Sequence, residues 1–117
     1  MATVTPAFDF VATQSGKTPR VTWADIVTGD TITTFPVAAQ AAVAGAVQFG
    51  GTFGGATIGL QVSNDGTTYF DMRDLGGTVI SATAAALFEF TTAAMYIRPV
   101  ITGGAANAVD VTVVLRG

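Results

Sequence analysis

Near the C-terminus Val109, Val111, Val113 and Leu115 are interleaved with Asp110, Thr112, Val114 and Arg116. A period of two sends successive side chains to opposite faces, so this stretch reads as a half-buried β-strand. The segment Thr57–Ser63 repeats the pattern with Ile58, Leu60 and Val62 facing inward, and Val47, Phe49, Gly51 and Phe53 form a third alternating set. Further β-rich runs are Val21–Ile26, Thr68–Met72, Ala86–Thr91 and Met95–Thr102. Turn-forming residues separate them: Thr28-Gly-Asp30, Phe53-Gly-Gly55, Asn64-Asp-Gly66, Gly76-Gly77 and Gly103-Gly104. Short strands at this spacing predict an all-β chain, an antiparallel β-sandwich or jelly-roll-like single domain.

Two alanine-rich stretches, Ala38–Ala46 and Ala82–Ala86, have the residue type with the best helix propensity. Neither has an apolar stripe of helical period, so both are expected to be connections or a strand start, with at most one helical turn. Residues 1–18 are weakly periodic and are expected to be an N-terminal arm or edge segment, with the sandwich spanning 19–117. Phe8 and Phe10 share a face if that segment is extended. The N-terminus has neither the basic region nor the apolar run of a signal peptide. The uncharged stretch from Thr31 to Asn64 is broken by Pro36, three glutamines and several glycines, so no membrane-spanning helix is expected.

Composition narrows the chemistry. The 117 residues include no cysteine and no histidine. Disulfides and Cys-ligated metal centres are therefore excluded, and the commonest metal ligand and general base are missing. Five basic residues against eight acidic ones give a net charge of −3, which argues against gripping a nucleic-acid backbone. Charged residues make up 11% of the chain, under half of the usual share of about 25%. Either a Thr-rich face keeps the protein soluble, or part of its surface is covered by other subunits.

Each candidate site has a plainer explanation. In Ser63-Asn-Asp-Gly-Thr-Thr-Tyr-Phe70, a cation site would draw on Asn64, Asp65, Asp71 and Asp74, and a sugar platform on Tyr69. The spacing of a calcium loop is absent, and Asn-Asp-Gly is a turn signal, with Gly66 free to take a left-handed conformation. The turn is the preferred reading. Asp25, Asp30, Asp71 and Asp74 include pairs that could act as acid and base, but no spacing fixes two of them in one cleft. Ser15, Ser63 and Ser81 have no histidine partner, and no nucleophile elbow occurs. The chain is expected not to be an enzyme and to need no cofactor. Gly50-Gly51-Thr-Phe-Gly54-Gly55 lacks the Lys and Ser/Thr of a phosphate loop and reads as a bulge or tight hairpin. Trp23 reads first as a core residue and second as an interface anchor. Arg98, in Tyr96-Ile-Arg-Pro99, has Glu89 or a partner as candidate counter-charge, and Pro99 suggests an edge or a distorted strand.

An ordered series of these features resembles small tailed-phage virion proteins of the head decoration, or capsid cement, type. Over roughly residues 20 to 116 the series runs from Trp23, Gly29-Asp30 and Phe35-Pro36-Val37 to Val47-Gln48 and Gly51-Thr-Phe-Gly-Gly55. It continues through Leu60-Gln-Val-Ser-Asn-Asp-Gly66, Tyr69, Asp74, Ser81-Ala-Thr83, Tyr96-Ile-Arg-Pro99 and Thr102-Gly-Gly104, and ends in Val109–Arg116. The resemblance implies a subunit that forms a homotrimer on the outer surface of an icosahedral phage head. There it would contact the major capsid protein and tie capsomers together. Candidate interface residues are Phe8, Phe10, Trp23, Phe35 and Arg98. The Ser-Asn-Asp-Gly turn also looks like one in discoidin-type and other carbohydrate-binding sandwiches. The alternatives are thus a glycan-binding module on the virion and a tail or baseplate component.

Overall fold

The computed structural model describes residues 2–13, 16–37 and 43–116. Among these residues the regular structure is all strand: β1 (Thr3–Val4), β2 (Ala7–Thr13), β3 (Gly16–Ile26), β4 (Thr31–Ile32), β5 (Phe35–Pro36) and β6 (Val43–Thr52). Then follow β7 (Thr57–Ser63), β8 (Phe70–Asp71), β9 (Ser81–Ala82), β10 (Ala86–Thr92), β11 (Tyr96–Thr102) and β12 (Ala108–Arg116). One sheet has the order β10-β6-β12-β3-β2; the other runs β5-β11-β7-β8, with β9 also paired to β7. Pairing within both is antiparallel, and β1 and β4 add a short parallel pair. From β5 onward most connections carry the chain to the opposite sheet, as in a jelly roll.

The inward faces are those the alternation marks. Val109, Val111, Val113 and Leu115 are buried, together with Val21, Trp23, Val47 and Phe49 of the same sheet. Ile58, Leu60 and Ile97 belong to the same core from the facing sheet, with Val62 partly buried against it. Each such side chain contributes about 1.5–3 kcal/mol when fully removed from water. Apolar packing has no direction, so hydrogen bonds must set how the sheets lie. The indole Nε1 of Trp23 donates to the Thr33 carbonyl at 2.8 Å, and the Thr34 hydroxyl donates to the Ile97 carbonyl at 3.0 Å. These two bonds tie β3 to the β4–β5 segment, and that segment to β11.

Some expectations need adjusting. β6 stops at Thr52 and Gly51 takes a positive φ of 95°, so the third alternating set breaks before Phe53. Phe53 to Ala56 is a tight turn closed by the Ala56 amide on the Phe53 carbonyl, but it joins strands of different sheets and makes no hairpin. Only Phe70–Asp71 of the run Thr68–Met72 is strand. Ala82–Ala86 is, as expected, a connection and strand start, its ends strand residues around a bend. Of the first alanine-rich stretch, 38–42 lie outside the described residues, and 44–46 are strand. The division at 18/19 falls inside β3, and 7–13 form the outermost strand of its sheet. Gly59 has a steric reason to be glycine, because a Cβ there would stand 2.8 Å from the Ile80 carbonyl oxygen just before β9.

Burial predicts the response to truncation. Phe49→Ala, at a fully buried site, should lower the unfolding free energy in urea by about 3–5 kcal/mol. Phe70→Ala, at a position 67% exposed, should leave it within about 0.5 kcal/mol of wild type. Equal losses for the two would mean that the core is misplaced.

Candidate interaction surfaces

The register of β2 on β3 sets Phe8 opposite Val21 and Phe10 opposite Pro19. Directly paired residues share a face, so both rings lie on the inner side of the sheet, the side that carries the buried Val21. The facing sheet covers them only in part. Phe8 stacks on half-buried Phe35, at the margin of that sheet, with ring centroids 5.4 Å apart, and Phe10 meets Phe8 edge-on at 5.0 Å. They remain 47% and 58% exposed, respectively. The result is a strip of core-type face that is only half covered. On the other face of this strand pair Asp9 and Arg20 form an exposed ion pair at 2.6 Å. The Arg20 guanidinium holds the Asp9 carboxyl below the usual carboxylate range, and the pair adds little net stability in water.

Trp23 leaves the list of interface candidates. It is fully buried, and its indole is spent on Thr33, so it has no surface to offer a partner. Arg98 does not pair with Glu89, which sits on β10 in the other sheet. Its guanidinium lies 3.6 Å from the centroid of the Tyr69 ring, and its Nε and Nη2 donate to Gln61 Oε1 at 3.4 Å. Register explains the meeting with Gln61, since Arg98 and Gln61 are directly paired between β11 and β7. Such a cation–π contact is worth about 0.5–1 kcal/mol at an exposed site, and bonds as long as 3.4 Å add little. The stacking leaves one ring face of Tyr69 covered, which weakens it as a sugar platform.

Beside Arg98 runs a groove of about 240 Å³ lined by Asp30, Thr31, Ile32, Gln61, Arg98 and the three residues that follow it. Its origin is local. β5 pairs only with Tyr96 and Ile97, and Pro99 has no amide hydrogen with which to extend that pairing. β4 pairs with β1 instead, which leaves a gap beside β11. The edge suggested by Pro99 is real from Arg98 onward. This grouping of Gln61, Tyr69 and Arg98 escapes sequence inspection, because it depends on the β7–β11 register and on the fold of the 64–69 loop.

The turn residues spend their polar atoms locally. Asp65 Oδ1 accepts the amides of Thr67 and Thr68 and the Ser63 hydroxyl, while Gly66 takes the expected positive φ of 76°. Asn64 accepts the Met95 amide, and Asp74 accepts those of Gly76 and Thr78. Asp25 donates its amide to Asp110 at a bulge, and Asp30 accepts the amides of Ala2 and Val27. The four aspartates weighed as acid–base partners therefore lie at a bulge, a turn, a strand and a second turn. Among the described residues, which omit Ser15, no group of three potential metal ligands converges. Leu75 and Leu87, which the sequence does not single out, are also exposed, and the Leu75 amide donates to the Glu89 carbonyl.

No protein-family model matches the chain, and no curated protein matches it. Among solved structures it is similar to the carbohydrate binding module (CBM6cm-2) from Cellvibrio mixtus lichenase 5A, determined in complex with cellotriose. Identity is 10% over 96% of this chain and 86% of that one, with a TM-score of 0.29. A likeness this slight bears on neither site nor ligand.

The bonded carboxylates predict a pH response. The amides of Thr68 and Thr67, then the Ser63 hydroxyl, hold the Asp65 carboxyl below its ordinary value of 3.8, and the amides of Ala2 and Val27 act likewise on Asp30. A carboxyl with a lower pKa in the folded state than in the unfolded chain adds stability above the unfolded value and loses it as pH falls through the folded one. The urea midpoint should therefore hold near neutrality and drop below about pH 4, with Asp65→Asn removing part of that drop. A midpoint that rises on acidification would contradict this assignment.

Proposed function

We propose that this chain is a non-enzymatic structural protein that assembles with copies of itself as a homotrimer on the outer surface of an icosahedral phage head. The observation that carries the reading is the partly covered strip on β2, where Phe8 and Phe10 lie on the core-facing side of a sheet with only Phe35 against Phe8, and both stay about half exposed. Exposed apolar surface at a sheet margin invites another chain, and a chain with 11% charged residues has little else to keep that margin solvated. The resemblance of the motif series to capsid cement proteins supports the same reading. The mechanism is linkage: a subunit that binds only the assembled shell stabilises it by about 2.7 kcal/mol per site at 100 times Kd. Repeated over symmetry-related sites, this opposes the pressure of packaged DNA.

Light scattering on the purified chain over a range of dilutions tests the reading. Wild type should run at about three times the 11.8 kDa chain mass. Phe8→Asp/Phe10→Asp should run as a folded monomer that no longer binds heads lacking the protein. A wild-type monomer at every concentration would sink the reading.

A second reading rests on Phe70, which is 67% exposed beside Asp65 and Thr68 and offers a ring with polar neighbours to a glycan. It predicts that Phe70→Ala abolishes glycan binding while leaving the oligomer unchanged. Silence of wild type on a broad glycan array would remove it.

A further inference from the structure

We propose that the groove between β4 and β11 is a carboxylate-binding site, with Arg98 as the receptor and an Asp or Glu side chain of a neighbouring protein subunit as the group received. The argument begins with what holds Arg98. Tyr69 covers one face of the guanidinium, and Gln61 takes the side carrying Nε and Nη2. Both partners are neutral, so they orient the cation without discharging it. Among the described residues no carboxylate lies within salt-bridge distance of it, in contrast to Arg20, which Asp9 neutralises.

Two acidic residues of the same region are otherwise placed. Asp30 lines the same groove and keeps its negative charge, but its two oxygens are held by the amides of Ala2 and Val27 and neither lies within salt-bridge distance of Arg98. Asp71 pairs with Gln61 from the far side, which puts it one strand beyond Gln61 and two strands from Arg98. The end of the guanidinium carrying Nη1 makes no hydrogen bond with a described residue. Two parallel N–H groups at such an end match the two oxygens of a carboxylate.

A single positive charge also selects the ligand. A phosphate, with up to two negative charges, calls for further cations, and a nucleic-acid backbone needs a row of them. Here one guanidinium stands in a chain of net charge −3. One monoanion satisfies it. The source of that anion rests on the assembly reading given above; the receptor itself does not.

Two-dimensional NMR of the full chain, labelled at the arginine side chains, tests the site. The Arg98 Nε–H resonance is identified by its loss in Arg98→Lys. It is then followed as capped glutamate, capped glutamine, sodium glucuronate or sodium chloride is added at matched ionic strength. Capped glutamate should move the resonance saturably, while capped glutamine and chloride should leave it in place. In Tyr69→Ala, with the fold checked by the spectrum, the same titration should need about fivefold more ligand, because the fork is less fixed. No movement with capped glutamate, or equal movement with chloride, overturns the site. A response to glucuronate alone overturns the protein side chain as occupant. A monomeric wild type in light scattering would sink the assembly reading without touching this titration, so the two failures are distinguishable.

Discussion

The indole of Trp23 is where the two sheets stop being merely packed and become tied. Apolar faces attract one another in almost any relative position, so burial alone leaves their offset loosely defined. The bond from Nε1 to the Thr33 carbonyl removes that freedom, and the Thr34 hydroxyl on the Ile97 carbonyl passes the constraint to β11. With Thr33 and Thr34 held there, β5 meets β11 only at Tyr96 and Ile97, while β4 turns to β1. The groove beside Arg98 is the space that this divergence leaves. A buried core residue thus sets the shape of a surface feature on the other sheet.

How much of this could be read from the sequence depends on the range of the interaction. Val109, Val111, Val113 and Leu115 declare their face because the period of two is local, and all four are buried. Gly66 declares its turn because few other residues accept a positive φ. Phe53-Gly-Gly55 declares a turn equally well, but whether it joins neighbours in one sheet or crosses to the other is decided by tertiary packing. The same limit applies at the candidate sites. Phe8 and Phe10 were legible as a pair on one face; that the face is the inner one, left only half covered, follows only from the pairing with Val21 and Pro19. Arg98 shows the limit most clearly: the sequence offered Glu89 as its counter-charge, and the fold put Glu89 on the other sheet and Tyr69 against the guanidinium.

The scarcity of charge makes the placement of each charged group informative. Asp9 and Arg20 satisfy one another, and Asp30, Asp65 and Asp74 are engaged by nearby backbone amides. These groups organise turns and one strand pair, and they offer little to an outside molecule. Arg98 and Arg73 meet only neutral groups among the described residues, a ring and an amide for Arg98 and the Gly77 carbonyl for Arg73.

The treatment of sheet edges leads to the same surface. A free strand edge is a template for another chain, and proteins commonly blunt it with short strands, proline or a covering loop. At the margins of the second sheet, β5 has two residues and includes Pro36, while β8 and β9 have two residues each. In the first sheet β10 is partly capped where the Leu75 amide donates to the Glu89 carbonyl. β2 differs: it is seven residues long, and among the described residues no loop lies hydrogen-bonded along its outer edge. It is also the edge that carries Phe8 and Phe10. Short strands and a proline blunt the margins of the second sheet, whereas β2 combines a long edge with two half-exposed aromatic rings.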